Sequence, residues 1–289
     1  MKVLILGIDG MIGHKIAQSL SHDFILFGST RKNINIDAIG LDKGSLIHHD
    51  FLIDDNFSIF ENIKPDVIIN CIGITTRRRA SLNISNTIEI NEKLPHEINL
   101  WASDNEKKLI HFSTDCVFNG TKGNYLDNDI PNAEDFYGTT KGKGEINNDQ
   151  ALTIRCSTIG REIYNHTELF EWLYSMKNKD IEGYSNVIYS GVTTVWMGEV
   201  IKQILKNNIS LSGIYNISSE PIPKYQLLLK LSEAFKLNVN IAKNSNIKSN
   251  KVLNSKKFTK ITGINSPHWD DLIPDFKNDC EKFNHLYKN

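Results

Sequence analysis

Short apolar runs and longer amphipathic stretches alternate through the first half of the chain. Positions 2–6, 24–28, 46–49, 67–72, 108–113 and 152–155 are brief, and several are apolar almost throughout, as strands covered on both faces must be. Between them, 11–20, 53–63, 87–104 and 137–148 read as helices. Strand and helix alternating at this spacing predict a parallel sheet with right-handed crossovers, a doubly wound α/β fold. The pattern loosens after about residue 161. There 168–176, 197–206 and 224–235 predict helices, the last opened by Pro223, while 213–217 predicts a strand and the polar stretch 244–254 a surface loop. No internal repeat or separating linker is visible.

The first strand runs directly into Gly7-Ile8-Asp9-Gly10-Met11-Ile12-Gly13, which opens the first helix. Glycines at this point allow a tight turn, bare backbone facing a pyrophosphate, and a helix N-terminus aimed at that anion. The expectation is therefore a Rossmann-type sheet over residues 1–161 that binds a dinucleotide and carries the catalytic residues. Residues 162–289 are expected to form mainly a smaller substrate-binding lobe, intertwined with the first part at the sheet's carboxyl edge. After the second strand comes Gly28-Ser29-Thr30-Arg31-Lys32, with no carboxylate. Arg31, helped by Ser29 or Thr30, suits a 2′-phosphate, which favours NADP(H) and leaves NAD(H) possible. Topology adds Asp50 and Phe51 at the adenine end and Cys71, Ile72 and Gly73 on the nicotinamide side. With Gly7, Gly10, Met11, Ile12 and Gly13, these form the expected cofactor set.

Thr114 closes the fifth strand, and Tyr137 and Lys141 open the next helix. A spacing of four puts the last two on one helical face. Moving a hydride to or from a carbinol carbon requires a proton to move on the oxygen, and a phenol needs a nearby cation to do this at neutral pH. Lys141 supplies that charge and can bridge the nicotinamide ribose, while Thr114 orients the substrate oxygen. Among Arg77, Arg78 and Arg79, one is a candidate for a phosphate, as is Arg161; Arg77 and Arg161 are the two carried forward. Glu162 is expected to pair with Arg161.

Balanced charge narrows the partners. With 33 Lys+Arg against 34 Asp+Glu, the formal charge is -1, which gives no electrostatic reason for a nucleic acid or anionic membrane. The four cysteines have no CxxC or ligand spacing and read as reduced thiols; His48 and His49 read as strand-end residues, so no metal site is expected. No apolar run approaches a membrane span, so the chain reads as cytoplasmic. Trp172 and Trp196 read as packing residues.

The glycine motif, Ser113-Thr114-Asp115, Tyr137-Gly138-x-x-Lys141 and Gly144-Glu145 resemble the extended short-chain dehydrogenase/reductase superfamily. Within it, the run from Ser113 through Thr114-Asp115-Cys116-Val117-Phe118-Asn119 to Gly120, and Asn91-x-x-x-Pro95, are similar to dTDP-4-dehydrorhamnose reductases. This resemblance implies NADPH-dependent reduction of a nucleoside-diphosphate 4-keto-6-deoxy sugar, with Tyr137 as the acid. It also implies substrate contacts from Asp115, Cys116, Val117, Ser190 and Thr193. Cys116 stands where the family usually has an aromatic residue, and Thr140 where Ser is common. The runs 169–173 and 183–186 look like a side branch from surface-polysaccharide and O-antigen pathways. Two alternatives stay open: an epimerase of the same superfamily, and a non-catalytic NADP-binding regulatory subunit. A homodimer is possible.

Overall fold

A computed structural model describes residues 1–32, 39, 41–42, 44–55, 57–77 and 83–287. Its centre is a seven-stranded sheet in the order β10-β6-β5-β4-β1-β2-β3, every neighbouring pair parallel. The strands are β1 (Lys2–Leu6), β2 (Ile25–Thr30), β3 (Leu46–His48), β4 (Val67–Asn70), β5 (Lys108–Ser113), β6 (Ala151–Arg155) and β10 (Gly213–Asn216). The reversal of direction between β1 and β4 opens the crevice that ligands use in such sheets.

Alternating side chains explain why these strands are apolar throughout. Val3 and Ile5 of β1 face one core cluster, shared with Ile16, Ala17 and Leu20 of helix α1 (Gly13–Leu20). Leu4 and Leu6 face the other, shared with Ile59, Phe60 and Ile63 of α2 (Ser58–Ile63) and Leu94 and Ile98 of α4 (Leu94–Asp104). Burying each such side chain is worth roughly 1.5–3 kcal/mol.

Between them, α3 (Ile84–Ile88) leads into one π-helical stretch at Glu89–Lys93 before α4. The helix α5 (Phe136–Lys143) follows a long excursion after β5. It ends before the expected 148 because the chain turns at Gly144 to re-enter the sheet as β6.

After residue 161 two layers interleave. Helix α7 (Thr194–Lys206) packs on α1, with Gly198 close against Ser19, and β10 joins the main sheet beside β6. A separate three-stranded sheet, β11-β8-β12, holds β8 (Asp180–Tyr189), β11 (Ile222–Pro223) and β12 (Asn240–Asn250). It packs with α6 (Leu169–Ser175), α8 (Lys224–Ala234) and α10 (Trp269–Lys282) around Phe170, Leu231 and Phe276. Trp172 and Trp196 pack against this core. The short pair β7 (Thr158–Ile159) and β9 (Val192–Thr193) and helix α9 (Lys256–Thr262) complete the elements.

The expected loop over 244–254 is corrected: residues up to Asn250 belong to β12, paired in parallel with β8 across a register shift between Asn244 and Lys248. Its polar composition reflects an edge strand whose side chains face water, as edges commonly do. Residues 53–55 and 57 are likewise not helical; Asp50 and Asp55 side chains bind nearby backbone amides before α2. Among the described residues no helix is long and apolar enough to cross a membrane.

Candidate active site

The glycine turn is shaped by what a side chain would hit. Gly7 has a φ of 73°, and the amides of Gly7 and Ile8 both donate to the Ser29 carbonyl at 3.1 and 3.0 Å. A Cβ on Gly13 would collide with the Gly7 carbonyl, and one on Gly28 with the Ile8 side chain. The turn therefore closes tightly over β2, leaving backbone alone to face the open space above it.

That space is a cleft of about 900 Å³. Gly7, Gly10, Met11 and Ile12 line it with Ser29, Thr30, Arg31, Asp50, Phe51, Cys71, Ile72 and Gly73. Gly13 sits beneath the turn and does not line it. The guanidinium of Arg31 lies 3.7 Å from the Asp50 carboxylate, so the end of β2 does have an acid beside it, contributed by β3's far end. His49, next to it, stacks edge-on against Phe51 at 4.4 Å.

Asn91, in the π-helical stretch, fixes the opposite wall. Its side chain accepts from the Ile74 amide at 2.9 Å and donates to the Ile74 carbonyl at 3.0 Å. The extra residue of a π turn aims this amide at the loop after β4, a use such turns often serve.

Helix α5 carries Tyr137 and Lys141 into the cleft. Asp135 caps it by accepting from the Gly138 amide at 2.8 Å. A Cβ on Gly138 would strike the Cys116 carbonyl, so glycine here lets the helix close on the turn at Asp115–Val117. The Thr114 hydroxyl accepts from the Cys116 amide at 3.1 Å and donates to Asp115 Oδ1 at 3.2 Å. Burial pushes the Tyr137 phenol far above its ordinary pKa, with Cys116 adding to the rise and a hydrogen bond to Thr114 opposing it. The Lys141 ammonium donates to the Phe112 carbonyl at 2.7 Å. Burial lowers its pKa to about 8, against the pull of Glu145 and Cys71. The bond to Phe112 holds the Lys141 ammonium on the end of β5.

That strand end is itself braced. Arg155 grips Glu145 with two bonds of 2.8 and 2.7 Å, and the Ser113 hydroxyl donates to the same carboxylate at 2.6 Å. The guanidinium is 1% exposed and also donates to the Asp127 and Asp129 carbonyls. Glu145 of the sequence motif thus ties α5's exit to β5 and β6.

At the lobe end, Arg77 and Cys116 line the cleft; Asp115, Val117, Arg161, Ser190 and Thr193 do not. Arg161 is buried and bonded to Glu171 at 2.6 Å, over the rings of Tyr287 and Tyr174. Glu171, not Glu162, is its partner; the Glu162 carboxylate accepts the Thr167 and Glu168 amides. Val117 packs with Phe118 and Tyr125, Ser190 accepts the Leu253 amide, and Thr193 caps α7. Arg78 and Arg79 lie outside the described residues. Lining residues that the sequence did not single out include Thr75, Glu168 and Lys224, with Thr75 donating to Glu168 at 2.9 Å. Lys224 carried one readable signal, its place just after Pro223 at a helix start.

The sequence profile of the RmlD substrate binding domain matches residues 1–179, more than half of the 289. The chain belongs to the RmlD substrate-binding-domain family. This RmlD-family chain is 28% identical over 232 residues to a dTDP-4-dehydrorhamnose reductase of Aggregatibacter actinomycetemcomitans, covering 76% of this chain and 74% of the relative. It is also 25% identical to methionine adenosyltransferase 2 subunit beta of Bos taurus, over 82% and 72% of the two chains. In structure it is similar to a Bacillus anthracis dTDP-4-dehydrorhamnose reductase crystallised with NADP. That match has a TM-score of 0.77 at 18% identity and covers 96% of this chain and 98% of the other. The seven-stranded parallel sheet is the Rossmann-type fold of these relatives.

Proposed function

We propose that this RmlD-family chain reduces the 4-keto group of a nucleoside-diphosphate 6-deoxy sugar, with NADPH preferred over NADH, in the making of surface-polysaccharide or O-antigen sugars. The observation that carries this reading is the meeting of Thr114, Tyr137 and Lys141 with the glycine turn in a single cleft. The bare turn at Gly7 and Gly10 suits a pyrophosphate, because any Cβ there would intrude on the turn's own backbone or on Ile72. NADPH, when bound, supplies the hydride. Thr114 orients the keto oxygen, and Tyr137, which burial keeps protonated, gives it a proton. Lys141 would balance the phenolate left behind, its ammonium exchanging the Phe112 carbonyl for the phenol oxygen, and it would be a residue to hold the cofactor. The reductase relative and the NADP-bound structure support the substrate class and the cofactor.

The likeness to a subunit of methionine adenosyltransferase 2 favours a second reading, a cofactor-binding subunit without turnover of its own. One assay separates them. Purified chain is mixed with NADPH, or NADH, and freshly made 4-keto sugar nucleotides, and the nicotinamide absorbance is followed. Consumption of NADPH is the expected outcome. Tight cofactor binding with no turnover on the whole panel would transfer the weight to the subunit reading.

A further inference from the structure

One cation in the cleft lies outside the chemistry proposed above. Lys224 begins α8, and its place is fixed by the short strand before it: β11 sets Ile222 opposite Tyr189 and Pro223 opposite Ile188. Helix α8 lies close on β8 because Gly183 has no side chain; a Cβ there would press into the Tyr225 ring. The result holds the Lys224 ammonium 5.8 Å from the centre of the Tyr189 ring, inside the cleft that also contains Tyr137 and Thr114.

Among the described residues no carboxylate lies within ion-pair distance of Lys224 Nζ. The largest attractive influence is Asp115, whose Oδ1 is already taken by Thr114 and which does not line the cleft. Burial accordingly disfavours the ammonium form, and the neighbouring positive charges of Arg77 and Lys251 act in the same direction. Arg77 lines the same cleft from the loop after β4, anchored by a 2.9 Å bond to the Thr167 carbonyl. A half-buried lysine and an exposed arginine share this end of the cleft with the Glu168 carboxylate, which is turned to Thr75, so the two cations are open to an anion that enters between them. The anion of the cofactor has its own cradle at the glycine turn, which belongs to the sheet and not to the lobe.

We propose that Lys224, with Arg77 beside it, binds the diphosphate of the sugar nucleotide at the lobe end of the cleft and sets the requirement for a diphosphate-linked sugar. This rests on the sugar-nucleotide reading above and adds the residue that reads the phosphates. Lysine serves here as a point charge that can follow either phosphoryl group, while arginine at the mouth can engage two oxygens at once.

The test uses the full chain saturated with NADPH and titrated with dTDP, UDP, thymidine and uridine, in wild type, Lys224→Met and Lys224→Arg. Lys224→Met should weaken the preferred diphosphate about ten- to a hundredfold, the range for one charge-assisted hydrogen bond. Nucleoside binding and the NADPH Kd should stay within about threefold, and Lys224→Arg should recover part of the loss. With a turned-over substrate, KM should rise more than kcat falls. Unchanged diphosphate affinity in Lys224→Met would overturn the inference and leave the reductase reading standing. So would equal losses for diphosphate and nucleoside, or a fall confined to kcat. A wild-type chain that binds NADPH but neither diphosphate overturns the sugar-nucleotide reading, and this inference with it.

Discussion

At the proposed cofactor end of the cleft, the wall comes from one turn, Gly7 and Asp9 to Ile12, closed by backbone contacts with β2. At the lobe end, the surface is assembled from side chains as far apart in sequence as Thr75, Cys116, Glu168, Tyr189 and Lys224. The first is largely a local device of one strand, one turn and one helix: the Gly7 carbonyl demands Gly10 and Gly13, while Gly7 itself also meets Ile72 after β4. The second exists only when β8, β11 and α8 have docked. A local device is fixed in geometry and common to many ligands of one kind; a dispersed one can change a single contact without disturbing the rest. On the proposed function, recognition of the dinucleotide belongs to the former and choice of sugar to the latter, with Tyr137 and Lys141 at the joint.

Tyr137→Phe gives the sharpest separation of the two ends. It removes the proton donor and leaves both binding surfaces in place, so turnover should fall by about 10²–10⁴. Cofactor affinity, measured by fluorescence titration, should stay within about threefold. Loss of both together would mean that the phenol holds the cofactor end in shape, and the comparison would collapse. A near-normal rate would show that another group donates the proton.

The same contrast explains what could be read from the chain alone. Strands such as Val67–Asn70 announced themselves because burial on two faces leaves no polar positions, and the spacing of Gly7, Gly10 and Gly13 announced the turn. Tyr137 and Lys141 were legible for the same reason, lying one helical turn apart. Arg161 was misplaced because a charged side chain near a cleft looks identical whether it faces in or, as here, pairs with Glu171 ten residues later. The strand β12 was hidden by its polar, water-facing edge, and Lys224 had no signal beyond its place after Pro223 at a helix start. Its neighbours Tyr189 and Asp115 come from distant segments. The π turn at Asn91 also left no periodic trace, although Asn91 itself stood in a recognisable motif.

Lys141 offers a test at the joint. Its ammonium has a pKa of about 8, and Tyr137 stays protonated far above that, so the alkaline limb of kcat/KM belongs to the lysine. Activity should fall about tenfold per pH unit above this midpoint. Stability should move the other way. Between about 8 and the ordinary 10.5 the unfolded chain holds the extra proton, so the folded state gains as pH rises through that window. In Lys141→Met the stability gain should vanish from thermal melts at matched pH. A limb that persists unchanged in a partly active Lys141 variant would assign it to another group.

The smallest expected effect is at the far rim of the cofactor end, where Arg31 is 56% exposed and 3.7 Å from Asp50. Pairing of β2 with β3 brings the two together, with the His49 amide donating to the Thr30 carbonyl at 3.0 Å. The rim therefore carries both a group suited to a 2′-phosphate and one suited to ribose hydroxyls, so the expected outcome is a preference for NADPH that is not absolute. Arg31→Asp removes the cation and sets a second carboxylate beside Asp50. Solvent screens so exposed a pair, so the NADPH Kd should rise only about three- to tenfold and the NADH Kd less than that. Raising the salt should shrink the difference between the two cofactors in wild type and leave little of it in the variant. Equal losses for NADPH and NADH, independent of salt, would mean that Arg31 shapes the rim without reading the phosphate, and that the preference resides elsewhere along Ser29 and Thr30.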